Sequence, residues 1–345
     1  MAWVDGFVGR AGELAAMTDE LGRARAGLPG VLLVTGPAGI GKTSLVHRFL
    51  DDEPDVRVLR AVGEESEATL PFGVAGQLVA DVRAEALGPL LAAGPPADAD
   101  PLAVGAELLA VLGALQADGA VVVVVVDDAQ WADDRAAQAL VFAVRRLRRD
   151  QVLVVLGVRD GEPGWWDRVQ AQGRPARRLG LGGLDADEVV ALSDSVGGPT
   201  LTPAAGRRLQ EHTDGHPLHV RALLRELPAE ALLDTGRVLP APRSLAALVL
   251  VRVAALSPPA QDLLVAAAVL GFRCALPDAV ALAAPPDPLA ALDEAVRAGL
   301  LVEDFTGTGH DLAFSHQLVR AAVYADLPPA RRHALHRAAA GGRSA

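Results

Sequence analysis

Gly36-Pro37-Ala38-Gly39-Ile40-Gly41-Lys42-Thr43 fits the spacing G-x-x-x-x-G-K-[ST]. The chemistry this predicts is binding of a nucleoside triphosphate. Glycines let backbone N–H groups close on phosphate oxygens, the lysine sets a point charge among them, and the threonine hydroxyl reaches Mg²⁺. Gly36, Gly39, Gly41, Lys42, Thr43 and Ser44 are therefore the candidate contacts to ATP or ADP. Lys42 is the only lysine among 32 basic side chains. Arginine is a planar fork, whereas lysine is a compact ammonium that reaches between phosphate oxygens. A chain that otherwise uses arginine throughout keeps its lysine where a point charge is needed. Because Lys42 lies in a loop, it is expected to be exposed and to contribute little to packing.

Asp127 and Asp128 end a run of six valines, Val121 to Val126. The first carboxylate is placed to hold the Mg²⁺ shell, and the second to orient or activate an attacking water. The alternative is a helix N-cap or a solvated turn. Asp133 is the better cap candidate, and Trp131 reads as packing. Arg159 and Asp160 follow Leu156-Gly157-Val158. An arginine there can point at a γ-phosphate and report its presence; the alternative is a surface ion pair.

The elements that must position these groups are legible as patterns. Val31 to Thr35 is a short apolar run, as expected for a buried parallel strand. Thr43 to Leu50 continues with helical spacing, so strand, glycine loop and helix aim a helix N-terminus at the phosphates. Glu13 to Ala26 reads as a helix, Val56 to Val62 as a second strand, and Gly73 to Arg83 and Leu102 to Gln116 as helices. Ala92 to Pro101 reads as a loop. Val121 to Val126 and Val152 to Val158 are strands, with a helix over Asp133 to Arg149 between them. Strands alternating with helices imply an α/β fold with a doubly wound parallel sheet, whose ligands bind beyond the carboxyl ends of the strands.

From Asp185 the pattern is helical: Asp185 to Ser195, Pro203 to His212 and Pro217 to Leu227. Leu227 to Arg243 is a candidate linker. Leu300 to Asp304 and Leu312 to Phe314 read as two short strands around a Thr306-Gly307-Thr308-Gly309 turn. Helices Ser315 to Leu327 and Pro329 to Ala340 follow, which suggests a winged helix. The expected division is a P-loop ATPase core over 1–180, a helical lid over 181–240 and a winged-helix-like domain over 241–345.

Composition narrows the classes. The chain has 345 residues, 51% of them hydrophobic, enough for two or three domains and against disorder. Its net charge is −11, the wrong sign for a surface that holds a nucleic-acid backbone. One cysteine, Cys274, and no signal peptide or membrane-spanning run give a cytoplasmic expectation with no membrane partner.

The order of motifs resembles the STAND class of P-loop ATPases, among the AAA+ relatives, and most closely the ATPase region of large bacterial LuxR-type regulators. The residues that carry this are Phe7-Val8-Gly9-Arg10, the glycine loop, and Leu70-Pro71-Phe72-Gly73-Val74. They continue with Val126 to Asp133, Val158-Arg159-Asp160, Gly215-His216-Pro217-Leu218, and Phe314-Ser315-His316 through Tyr324. The resemblance implies that Val8 and Arg10 lie against the adenine and that Arg159 senses the γ-phosphate. It implies that Pro217 closes over the base and that His316 meets the β-phosphate of ADP. For Gly215-His216-Pro217 the residue reading is a glycine helix end followed by proline in a new first turn. For His316 it is a first-turn histidine after a Ser315 cap.

The resemblance further implies a slow ATPase used as a switch, with another protein or a small inducer as partner and a nucleotide-dependent oligomer. Full-length relatives continue into a helical-repeat array and a DNA-binding helix-turn-helix. Neither is present in these 345 residues, so direct DNA binding by this chain is not expected. The alternative is an origin-recognition initiator. Against it, the stretch from Ser244 onward carries eight arginines and nine acidic residues.

Overall fold

The computed structural model describes residues 6–342 apart from 162, 172, 235, 237 and 305–310. The chain divides into two compact units, residues 1–183 and 184–345. The regions expected to be lid and winged helix both fall in the second unit, apart from 181–183.

The first unit begins with α1 (Ala11–Arg25), β1 (Gly30–Thr35), α2 (Lys42–Asp51), β2 (Arg57–Val62) and α3 (Gly73–Val79). It continues with α4 (Pro89–Ala93), α5 (Pro101–Leu115), β3 (Val122–Asp127), α6 (Asp134–Val144) and β4 (Val152–Val158). It ends with a small hairpin, β5 (Gln170–Ala171) and β6 (Arg174–Pro175), and with β7 (Arg177–Gly180). The main sheet runs β2-β3-β4-β1-β7 and every pairing in it is parallel. This is the α/β sheet the sequence predicts.

The valine run shows why these residues form a central strand. Val122, Val124 and Val126 pack into the apolar layer on one face, and Val121, Val123 and Val125 into the layer on the other. β1 divides the same way, Val31 and Leu33 against Leu32 and Val34. A strand covered on both faces has no polar side and therefore no alternation to read. At the outer edge, Val62 donates its N–H to Gln77 Oε1 at 2.8 Å and accepts from Gln77 Nε2 at 3.1 Å.

Several boundaries differ from the sequence reading. The helix expected over Asp133 to Arg149 stops at Val144. Leu147 is buried, and the Asp150 carboxylate accepts the Arg148 N–H at 2.6 Å, which turns the chain toward β4. The helix expected to reach Arg83 stops at Val79. The fifth strand, β7, has no counterpart in the sequence reading.

The second unit contains α7 (Ala186–Ser195), α8 (Pro203–Thr213), α9 (Pro217–Glu226) and α10 (Ala229–Leu233), the last inside the expected linker. It continues through α11 (Arg243–Ala254), α12 (Pro258–Leu270), β8 (Arg273–Ala275), α13 (Leu276–Ala283) and α14 (Pro288–Arg297). It closes with β9 (Leu301–Asp304), β10 (Asp311–Phe314), α15 (Gln317–Asp326) and α16 (Pro329–Gly342). β9 and β10 pair antiparallel as expected, and β8 adds a third strand beside β10. The expected turn at Thr306 to Gly309 lies outside the described residues. α12 is the centre of this unit's core, packing on α13, α14, α15 and α16. Among the described residues no helix is long and apolar enough to cross a membrane.

Candidate functional site

Strand order decides what meets. β4 lies between β3 and β1, so the glycine loop after β1, the aspartates ending β3 and the arginine after β4 share one carboxyl edge of the sheet. Gly36, Gly39 and Gly41 all take positive φ, at 152°, 79° and 104°. Lys42 is the first residue of α2 and is buried, 6% exposed, contrary to the exposed loop lysine expected. Its Nζ donates to the carbonyls of Gly36 at 2.8 Å and Pro37 at 3.0 Å. Burial pushes its pKa below the usual lysine range; the charges of Asp128 and Asp127 act in the opposite sense, while Arg159 pushes the same way as burial. Thr43 and Ser44 follow on exposed positions of the first turn.

Thr43 Oγ1 donates to Asp127 Oδ2, while Asp127 Oδ1 accepts the Asp128 N–H at 3.0 Å. Space for this carboxylate comes from the neighbouring strand. A Cβ at Gly157 would lie 2.5 Å from Asp127 Oδ1, closer than any side chain tolerates. Asp128 itself sits at φ 45°, and its Oδ1 accepts from Gln130 Nε2 at 2.7 Å. It makes no helix-cap bond, whereas Asp133 does cap α6, accepting from the N–H groups of Arg135 at 3.1 Å and Ala136 at 3.0 Å. The same Asp133 Oδ1 accepts the Phe72 N–H at 3.0 Å, tying the Leu70-Pro71-Phe72-Gly73 segment to the turn after β3. Trp165, absent from the sequence reading, donates its buried indole N–H to the Ala129 carbonyl at 2.9 Å and pins that turn from below. A Trp-Trp pair in a chain with four tryptophans is the signal that could have found it.

Arg159 and Asp160 are exposed, and the ion pair between them is not formed. Instead the Arg159 guanidinium lies 5.7 Å over the Trp131 ring, a cation–π contact that holds it at the sheet edge. Arg10 is buried in the left-handed region at φ 63°. Its guanidinium donates to the carbonyls of Gly182 at 2.5 Å and Ile40 at 3.5 Å and pairs with Glu13 at 3.1 Å. Val8 is half-buried two residues before it.

Pro217 and His316 lie in the second unit. Pro217 opens α9, two residues after Gly215 at φ 66°. A Cβ on Gly215 would lie 2.0 Å from the Leu184 carbonyl, so only glycine fits there. The expected Ser315 cap is not formed: Ser315 Oγ donates to the Gly299 carbonyl at 2.8 Å. His316 is itself the N-cap of α15, its Nδ1 accepting the Leu318 N–H at 3.0 Å. The proton therefore sits on Nε2, 3.1 Å from Asp214 Oδ2. With both ring nitrogens engaged, any contact of His316 with a phosphate requires Asp214 to let go. Sequence spacing gives no sign of the company it keeps. His219 stacks on His216 at 4.2 Å between ring centroids and stands 6.0 Å from His316. Burial, with the charges of His216 and His316, brings His219 down to about 4. His212 is lowered too, chiefly by burial.

Among the described residues no group of three or more His, Cys, Asp or Glu side chains could hold a metal ion. A Mg²⁺ at the glycine loop needs fewer protein ligands, because phosphate oxygens and waters complete its shell. Thr43 and Asp127, already facing each other, fit that role.

Residues 6–155 match the family model described as AAA ATPase domain. Among solved structures, Cdc6p from Pyrobaculum aerophilum is similar at 12% identity and TM-score 0.48, over 99% of this chain and 95% of that one. The Aeropyrum pernix ORC1 protein in complex with DNA is 16% identical, TM-score 0.43, over 93% and 94%. The Thermotoga maritima RuvB Holliday junction branch migration motor is 14% identical, TM-score 0.42, over 93% and 97%. The curated proteins searched contain no match. With a parallel sheet that carries its glycine loop, its paired aspartates and its arginine on one edge, the first unit has the P-loop fold of an AAA ATPase domain.

Proposed function

We propose that this protein is a nucleotide-operated switch of the STAND type, a slow ATPase resembling the regulatory module of a LuxR-type regulator. The observation that supports it best is the grouping of Lys42, Thr43, Asp127, Asp128 and Arg159 on one sheet edge. Bound MgATP would supply the phosphoanhydride and a divalent cation to polarise it. The chain's own groups do the rest. Lys42 Nζ exchanges the Gly36 and Pro37 carbonyls for phosphate oxygens. Thr43 and Asp127 hold the cation, and Asp128 accepts a hydrogen bond from the attacking water and orients it. Arg159 donates to the γ-phosphate oxygens, and Val8 and Arg10 flank the base. In this reading Pro217 and His316 make the second unit responsive to the nucleotide, with ADP as the resting ligand.

Hydrolysis and response are separable by experiment. Purified chain should retain ADP or bind it tightly by titration calorimetry, and hydrolyse ATP slowly. Protease cleavage in the Leu227 to Arg243 segment should differ with ADP, with a non-hydrolysable ATP analogue and without nucleotide. Equal cleavage in all three states leaves an ATPase with no switch. The initiator alternative requires duplex DNA binding at physiological salt, and the acid excess from Ser244 onward argues against it.

A further inference from the structure

Outside that site, the first unit has a cavity of about 570 Å³ beside α5, α6 and the turn Trp165–Arg168. Four arginines line it, Arg145, Arg146, Arg148 and Arg168, together with apolar Leu102 and Phe142, and no acidic residue does. The nearest carboxylates in sequence are occupied elsewhere. Asp150 accepts the Arg148 N–H, and Asp167 accepts the Gly164 N–H at 3.0 Å and a hydrogen bond from Arg178. Among the described residues none of the four guanidiniums has a carboxylate partner. Arg146 is held in place: its guanidinium lies 3.3 Å over the Phe142 ring and donates to the Phe142 carbonyl at 3.1 Å. Leu102, a large apolar side chain, is left 52% exposed at the rim.

Four positive charges gathered without counter-charge, in a chain of net −11, repel one another unless an anion joins them. Three anions are candidates, and the lining separates them. Small ligands bury most of their surface in the sites that bind them, but this cleft is open and Leu102 at its rim is exposed. A nucleic-acid backbone needs a longer basic track and gains nothing from Leu102 or Phe142. Arginine and aromatic side chains are enriched at protein–protein contacts, and the exposed Leu102 adds apolar surface for a partner to cover. We propose that this cleft docks an acidic, amphipathic segment of a partner protein, its Asp and Glu carboxylates on the guanidinium forks and an apolar side chain against Leu102 and Phe142.

The test uses a fluorescein-labelled synthetic peptide with Glu and Leu at helical spacing, its Lys-for-Glu counterpart, and labelled duplex DNA, read by anisotropy on the whole chain. The Glu peptide should bind saturably in the roughly micromolar range and weaken several-fold as salt rises. The Lys peptide should not bind. Arg145→Glu with Arg148→Glu should weaken the Glu peptide about tenfold or more, and Leu102→Ser by a few-fold. Binding of a fluorescent ATP analogue should stay unchanged in both variants, which controls for folding. No saturable binding, or equal binding by the charge-reversed variant, overturns the proposal. It also fails if Leu102→Ser has no effect while inorganic pyrophosphate displaces the peptide from a Lys42→Ala chain. Tighter binding of duplex DNA through the same arginines assigns the cleft to nucleic acid and overturns it as well.

Discussion

The carboxyl edge of the first unit's sheet and the histidine cluster of the second unit handle charge in opposite ways. At the sheet edge, one ammonium, one guanidinium and two carboxylates gather, and each side chain has a defined contact. There the carboxylates of Asp128 and Asp127 work against the effect of burial on the Lys42 ammonium. In the second unit, His316 pairs with Asp214, whose charge also reaches His212, while His219 stacks on His216 beside His316 with its Nδ1 buried and without a hydrogen bond. Burial lowers His219 and His212, so the folded chain keeps these rings neutral at a pH where an unburied imidazole takes up a proton. The first region is therefore set by what binds it, and the second also by the proton concentration.

Removing one carboxylate disturbs the sheet edge most. Asp128→Asn should slow hydrolysis about a thousandfold while ATP binding changes little, whereas Asp127→Asn should lose the Mg²⁺ dependence of binding. Steady-state phosphate release and nucleotide titration with and without Mg²⁺ measure both; equal losses of binding in the two mutants contradict the division of roles. Next, Lys42→Ala should cost about a hundredfold in affinity for a fluorescent ATP analogue, the scale of a lost charge-assisted contact to phosphate. Because Lys42 is buried, its effect on folding needs a melting curve beside the titration. Wild-type affinity in the mutant would remove the glycine loop from the site.

Gly157→Ala tests how tightly the neighbouring strand confines Asp127. The new methyl would drive into Asp127 Oδ1, so a loss of about 1–3 kcal/mol in unfolding free energy is expected, read by chemical denaturation. Wild-type stability and wild-type Mg²⁺ dependence in the Gly157→Ala variant would mean that Asp127 moves freely. The smallest effect tests the second region. His219 is held to about 4 in the folded chain against an ordinary 6.5. Between those values the unfolded chain takes up a proton that the folded chain refuses, so this stability is complete above pH 6.5 and drains as pH falls toward 4. The melting temperature should drop by a few degrees over that window, and His219→Leu should flatten the drop. A wild-type curve that is level there rules out the cluster as a proton-sensitive region.

What can be read from the sequence follows from what each element buries. β1, β3 and β4 are covered on both faces and are written as unbroken apolar runs, so strands, glycine loop and terminal aspartates are legible together. β7, Arg177-Arg178-Leu179-Gly180, is not, because its side chains are mostly exposed and its arginines pair with Glu20, a buried carboxylate of α1, and with Asp167. A strand held by backbone bonds to β1 alone leaves no pattern in its side chains. The histidine cluster is invisible for another reason. His219 on α9 and His316 at the start of α15 are far apart in sequence and are brought together by α8, which contacts both helices. Lys42 is located correctly by its motif but given the wrong surroundings, since the motif sets its spacing and not the two carbonyls its ammonium reaches.

Gln77 has a consequence beyond the strand it touches. A sheet that ends in an open strand can recruit a foreign strand, and that is how soluble proteins begin to aggregate. By occupying both backbone groups of Val62, the Gln77 amide acts as a counterfeit rung and blocks that end of β2. Val58 and Val62, both partly exposed on this strand, would otherwise offer an invading chain an apolar seam. One glutamine thus helps decide whether the protein survives at high concentration.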